Sequence, residues 1–429
     1  MPPSAVSISG LTVLNATQLQ ISKQMIIDGD KDLAASLKSL YDECEHILQK
    51  EPVSVLDKSD RPPSRDKHDY MSLARYWWPN VTKENPSGLP YINIDGKTNP
   101  EIHSVPDYKN LRDLFLSVER LGLGYYFLED ERYAKDAVEK IRVWFLDDDT
   151  RMNPHLEYAQ IVRGHPRGRR QGVVDMSVSY QLFDGIALIK NSKHWTEQDE
   201  NGMQAWFEEY IDWLTNSNHG KKESASNNNH GLLYDVQYIS TALFLKETDL
   251  ANRKARMALE KRIGVQIDHT GVQKHEVKRA TSWFYSLFGL NAQLLLARVA
   301  ANVEVDNYHY VAKSGGSIKK AIDFLIPHGL SHGKKWPFSN QGGSNMDRLV
   351  EHLAIAYVIY GLDKYKESFI RLFQPSMWSE ERVKSKLWSP AYTIWPQTTK
   401  SVHQLRCRWG GQWWDRVKGA AGDRRWAKC

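Results

Sequence analysis

The sequence predicts an all-α fold, an (α/α) toroid or barrel of about six to seven helical hairpins, and three observations predict it. Apolar residues recur at helical spacing through most of the 429-residue chain. Strand-like alternation is sparse, and the helical segments follow one another through mostly short connections, which favours antiparallel neighbours. No exact repeat is visible, which argues against a consensus solenoid and for a ring of non-identical hairpins.

The elements follow in order. Ala34 to Leu48 is amphipathic, with Leu37, Leu40, Tyr41, Cys44 and Leu48 at helical spacings. Asp107 to Leu146 reads as a helical hairpin turned near Glu129-Asp130-Glu131. Further helices are expected near 172–190, 196–215, 229–246, 249–266, 280–301, 308–326, 345–360 and 363–373. Two long irregular stretches interrupt them, Trp77 to Pro106 and Asn153 to Gln171, and a third runs from Leu330 to Asn345. Loops of that length inside a compact domain are uncommon and often functional. A single catalytic domain over 1–404 is expected. The tail 405–429 crowds Trp, Arg and Gly without periodicity and is expected to be poorly ordered.

Composition narrows the classes. The chain is 41% hydrophobic, with 15 Trp and 20 Tyr, enough for a large core and for aromatic platforms under sugar rings. Its net charge of +5 resides in the tail, where seven cations face two anions, so the body is formally neutral. A polyanion would therefore be held by local placement of Arg, Lys and His rather than by bulk charge. The tail keeps nucleic-acid binding as a minor idea only. No run of eighteen apolar residues occurs, so no membrane span is expected. Three cysteines, Cys44, Cys407 and Cys429, give no disulfide framework. Met1 to Gly10 shows no basic segment followed by an apolar one, so no secretory signal is visible. Oligomeric state is not legible.

Two segments carry chemistry. Ser226-Asn227-Asn228-Asn229-His230-Gly231 opens an apolar helix. One Asn is explained by N-capping; three followed by His make a donor-rich spot at the positive end of a helix, suited to a carboxylate. Arg279 and Tyr285, in His275-Glu276-Val277-Lys278-Arg279-Ala280-Thr281-Ser282-Trp283-Phe284-Tyr285, fall near one face if the helix starts at Ala280. Singly, each has an ordinary structural role. Together they supply amide, imidazole, guanidinium and phenol.

Asn-Asn-His before an apolar helix, with Arg and then Tyr some fifty residues on, resembles the alginate lyases and related uronan lyases of toroidal fold. Polysaccharide lyase family thirty-eight is the closest in pattern and family five more distant. Tyr76-Trp77-Trp78-Pro79-Asn80, Gly88-Leu89-Pro90-Tyr91 and Gly164 to Gly172 resemble the sugar-facing loops of such domains. The resemblance spans roughly residues 70 to 360. It implies β-elimination on a uronate polymer, alginate first and glucuronan second, with Asn229, His230, Arg279 and Tyr285 catalytic.

The chemistry needs these residue types. Removing the C5 proton builds charge beside an ionised carboxylate, so amide and cationic donors must neutralise it; one such donor is worth about 3 kcal/mol. Asn229 and Arg279 suit that role, with Asn228 in reserve. Tyr285 serves as base and acid in a syn elimination; in an anti elimination His230 is the base and Tyr285 the acid. Expected substrate contacts are Arg163, Arg167, Arg169 and Arg170 as carboxylate partners, Trp77, Trp78 and Tyr91 as stacking surfaces, His275, His332 and Lys335 on the far wall, and Trp336 as a further substrate-binding residue. No cofactor and no metal are expected: His275-Glu276 begins like HExxH, but Arg279 stands where the second ligand belongs.

Two other readings compete. A glycoside hydrolase on the same toroid needs two flanking carboxylates, for which Asp95, Glu157, Asp175, Asp235 and Glu276 are available. A non-catalytic acidic-polysaccharide-binding protein would use the aromatic and basic loops but leave the Asn-His-Arg-Tyr set without a purpose. The polymeric substrate favours an exported enzyme, with a cytoplasmic one as the alternative.

Overall fold

The computed structural model describes residues 8–372, so the tail 405–429, the boundary at 404, Cys407, Cys429 and the end of the helix expected over 363–373 lie outside the described residues. The helices are α1 (Ala16–Ile27), α2 (Lys31–Leu48), α3 (Asp107–Leu128), α4 (Glu131–Ile141), α5 (Ser179–Ile189), α6 (Glu197–Asn216), α7 (Asn218–Ser224), α8 (Asn229–Phe244), α9 (Thr248–Ala258), α10 (Ser282–Ala301), α11 (Ile318–Leu330), α12 (Asp347–Tyr360) and α13 (Asp363–Leu372). Apart from the short α7 they form six consecutive pairs among the described residues, an (α/α) toroid. Along its inner ring α3 packs on α5, α5 on α8, α8 on α10 and α10 on α12.

The sequence explains which helix lies inside. In α8, 13 of 16 residues are buried, an apolar helix enclosed on nearly all sides. In α9 only Ala251, Ala255 and Ala258 are buried, a narrow stripe on an otherwise polar outer helix. Helix α10 is apolar and long enough to cross a bilayer, yet 72% of its most apolar window is buried within the fold, as befits a central core helix. Much of the aromatic content goes to the core: Phe145, Phe183, Trp206, Phe207, Tyr210 and Phe244 pack edge-to-face and stacked in one cluster.

The hairpin over 107–146 turns where expected. Glu129 adopts a left-handed conformation that ends α3, and the Asp130 side chain caps α4. Elsewhere the boundaries move. The helix expected over 172–190 begins as a 3-10 turn (Arg170–Met176) before α5. That expected over 249–266 ends in a π-turn, Leu259–Gly264. Residues 308–317 are irregular and α11 starts only at Ile318, capped by Ser317 after Gly315 and Gly316. α1 and α7 were not anticipated, because α1 lacks a strong amphipathic stripe and α7 is a polar seven-residue turn.

Strands are few and short. β1 (Met71–Leu73) pairs in parallel with β4 (Tyr158–Ile161), and β2 (Trp77–Trp78) pairs antiparallel with β3 (Ile92–Asn93). They anchor the two long irregular stretches on the toroid. Asp107, at the start of α3, accepts from the Met71 amide at 2.9 Å and pairs with the fully buried Lys58 at 2.9 Å, fixing β1 from below. Near the N-terminus, Asp184 of α5 accepts from the backbone amides of Thr12, Val13 and Leu14. Arg298 of α10 donates to the carbonyls of Val13 and Leu14. This strap ties α5 to α10.

Candidate active site

The segment before α8 is held in place by Arg262, which the π-turn after α9 projects inward. Its guanidinium is fully buried, donates to the carbonyls of Ser224 and Ser226, and pairs with Asp235 through Nε at 2.6 Å. Gly231 is required there, since a Cβ would strike the Ser226 carbonyl oxygen and the Arg262 guanidinium. Asn228 is the N-cap of α8, its side-chain oxygen accepting from the His230 amide at 3.3 Å. That leaves Asn229 and His230 on the first turn.

Asn229 is buried and its amide group is committed on one side. Its backbone N–H donates to Glu276 Oε1 at 2.7 Å and its Nδ2 to Oε2 at 2.8 Å. Burial raises the Glu276 carboxyl above the usual range, against the lowering pull of the two Asn229 bonds, Arg279 and His230. Glu276 is thus the element that gathers the Asn-His segment and the Arg279 turn. His230 Nδ1 lies 2.5 Å from Oε1 of Glu223, a fully buried carboxylate on α7. Arg170 holds the other Glu223 oxygen at 3.0 Å and also bonds Ser226 Oγ. A carboxylate only accepts, so Nδ1 carries a proton, and in the neutral imidazole the Nε2 lone pair is the one available as a base.

Arg279 does not lie on α10, which starts at Ser282 and not at Ala280. It sits in the preceding turn and folds back, its guanidinium 3.6 Å from the centre of the Tyr285 ring. Asp95, on the loop after β3, accepts from Arg279 Nε at 3.1 Å and from its Nη2 at 2.5 Å. Burial would weaken Arg279 protonation, but the Asp95 bonds and the tyrosines reverse this. The Tyr285 hydroxyl lies 2.7 Å from the Tyr76 hydroxyl. Burial first, then the Tyr76 bond, raise the Tyr285 pKa despite Arg279, so the resting phenol is neutral.

The expected substrate contacts separate into groups. Trp77 is stacked by Arg169 at 5.0 Å, and Trp78 by Lys97 at 4.5 Å, with its indole N–H on the Lys97 carbonyl. Gly172 lets this basic loop lie against β4, since a Cβ would collide with Ala159. Arg163 is engaged by Glu101 at 2.9 Å and Asp60 at 3.1 Å, and Tyr91 donates to the same Glu101 at 2.8 Å. Arg167 is exposed. His275 is half-buried beside Lys278 and Lys274, and burial followed by those charges lowers its pKa. Trp336 donates to Ser282 Oγ at 2.8 Å and packs edge-on against Trp283, which orients the start of α10.

Sequence reasoning gave no role to Tyr76, Glu223 or Asp95 as partners of Tyr285, His230 and Arg279. Glu223 lies in a polar run, Lys221 to Ser224, with no pattern to mark it; only the packing of α7 on α8 brings it to the imidazole. The carboxylates available for hydrolysis are otherwise engaged. Asp95 serves Arg279, Asp235 serves Arg262, Glu276 serves Asn229, and Asp175 is buried under Tyr70 and Ser72. Glu157 faces His219 at 3.5 Å.

The fold is that of a carbohydrate-active (α/α) toroid, and among the described residues its candidate site gathers amide, imidazole, guanidinium and phenol without a pair of free carboxylates. The alginate lyase family matches this chain over residues 54–336. A crystal structure of an alginate lyase from Bacteroides ovatus is 34% identical, with a TM-score of 0.81 over 88% of this chain and 98% of that one. Alginate lyase A1-III from Sphingomonas species A1 shares the fold at 14% identity and a TM-score of 0.51, over 84% of this chain and 90% of that one. A histidine-to-alanine variant of A1-III complexed with a tetrasaccharide matches at 15% identity and a TM-score of 0.53, over 85% and 92%. No curated protein sequence matches the chain. The chain belongs to the alginate lyase family and is a polysaccharide lyase.

Proposed function

We propose that this enzyme cleaves alginate by β-elimination, with glucuronan as second choice, leaving a 4,5-unsaturated uronate at the new non-reducing end. Asn229 and Arg279 neutralise the C5 carboxylate of the reacting unit. His230 Nε2 takes the C5 proton, the C4–O bond breaks, and the Tyr285 phenol gives its proton to the departing oxygen. One observation carries this reading: a neutral Tyr285 phenol under the Arg279 guanidinium, joined through Glu276 to an Asn229-His230 pair whose imidazole is oriented by Glu223. The neutral phenol and the oriented imidazole support His230 as base over a Tyr285 phenolate. The proposal further assigns the chain to polysaccharide lyase family thirty-eight rather than five. It also takes 1–404 as one catalytic domain of an exported enzyme, which a polymeric substrate favours over a cytoplasmic one.

The test is ultraviolet absorbance during incubation with mannuronate-rich and guluronate-rich alginate blocks and glucuronan. Growth of the conjugated-uronate signal on alginate is the expected result. Signal on glucuronan alone overturns the substrate, and reducing ends without absorbance overturn the elimination.

A further inference from the structure

The arginines near the site differ in one respect. Arg279, Arg163, Arg170 and Arg262 each hold a carboxylate. Arg348, on the first turn of α12, has no ion pair among the described residues. It is half-buried, its Nη1 is enclosed without an acceptor, and burial alone lowers its pKa. One turn further along α12, His352 is fully enclosed with both ring nitrogens unpartnered. Burial and the Arg348 charge push its pKa down to about 3, so it stays neutral and offers no counter-charge. A half-buried guanidinium with an orphan N–H is costly in the free protein.

Its position suggests why it is kept. The guanidinium stands 5.2 Å from the Phe284 ring centre and 5.5 Å from that of Phe288. Both rings meet Tyr285 edge-on, at 5.3 and 6.4 Å, so Arg348 lies one aromatic layer from the phenol. Phe284 is 44% exposed, leaving an apolar surface beside a cation at the edge of the site. A uronate unit presents that pair of features, an apolar ring face and a carboxylate, and the arginine fork binds carboxylates through two parallel bonds.

We propose that Arg348, with Phe284 beside it, binds the carboxylate of a uronate unit adjoining the one that is cleaved. This rests on the uronan-lyase reading of the site. Arg348 is thereby a specificity residue, paired only when the polymer is bound.

The experiment is Arg348→Met in the full chain, read by thermal melting and by kinetics on long alginate oligomers and on the shortest one cleaved. The expected result is KM on long oligomers raised about tenfold, kcat within about threefold, and the difference vanishing on the shortest substrate. The melting temperature should stay or rise, because an unpaired cation has been removed. A lower melting temperature with KM unchanged indicates a packing role and overturns the proposal. Arg348→Lys, which keeps the charge but not the fork, should fall between; wild-type KM in both variants also overturns it. If the wild type cleaves no uronan, that failure belongs to the proposed activity. The subsite is then read by titration with mannuronate and guluronate oligomers, where affinity lost about tenfold in Arg348→Met supports it and equal affinity overturns it.

Discussion

Replacing Tyr285 by Phe removes one oxygen and little else, which makes it the sharpest test of the mechanism. The ring keeps its edge-on contacts with Phe284 and Phe288 and its stacking under Arg279 at 3.6 Å. Among the described residues the only hydrogen bond lost is that to the Tyr76 hydroxyl at 2.7 Å, and Tyr76 is partly exposed, so water replaces the partner at little cost to the fold. A positioned proton donor is worth about 100- to 10,000-fold in rate. That corresponds to about 2.7 to 5.4 kcal/mol of barrier. Because the phenol is neutral at rest, its proton is in place and the loss should fall on kcat, with KM within about threefold. The assay is initial-rate ultraviolet absorbance on alginate, with circular dichroism to verify the fold. A variant that folds and retains kcat within about threefold of wild type refutes Tyr285 as the acid. A companion Tyr76→Phe with the larger loss would move the role to Tyr76.

Two further outcomes are expected. Glu223→Gln keeps the size of the buried side chain but no longer fixes the imidazole proton on Nδ1, so kcat should drop about 10- to 100-fold with a displaced pH profile; a profile and rate identical to wild type would separate His230 from the proton transfer. Asp69 tests stability. Burial alone would raise its pKa, but bonds from His155, Ser64 and Asn153 outweigh it and hold the group at about 2 against 3.8 when free. A depressed carboxylate stabilises the fold above its unfolded pKa and ceases to as pH falls through its folded one. Asp69→Asn should therefore cost about 1–2 kcal/mol in urea unfolding at pH 7, shrinking towards zero by about pH 2. A deficit equal at pH 7 and pH 3 refutes the linkage.

What could be read from the sequence was what repeats along it. The 3.6-residue period marked most helices and the hairpin turned at Glu129. Unbroken apolarity around α8 and α10 marks inner helices, and Asn228 ahead of an apolar run marks a cap. Local rules act over one or two turns, and these features live at that range. The boundaries that moved, at the π-turn of 259–264 and the irregular 308–317, are places where long-range packing overrides the local period.

The site divides the same way. Asn229, His230, Arg279 and Tyr285 stood out as candidates because unusual polar residues cluster at the edges of apolar helices. Their partners were not. Glu223 reaches His230 through the packing of α7 on α8, Asp95 reaches Arg279 across 184 positions, and Tyr76 reaches Tyr285 across 209. Arg348 is legible only as an absence, a cation for which no carboxylate arrives among the described residues. A sequence states which charges exist; which of them neutralise one another depends on distance and burial, and those quantities are fixed only when the chain has closed on itself.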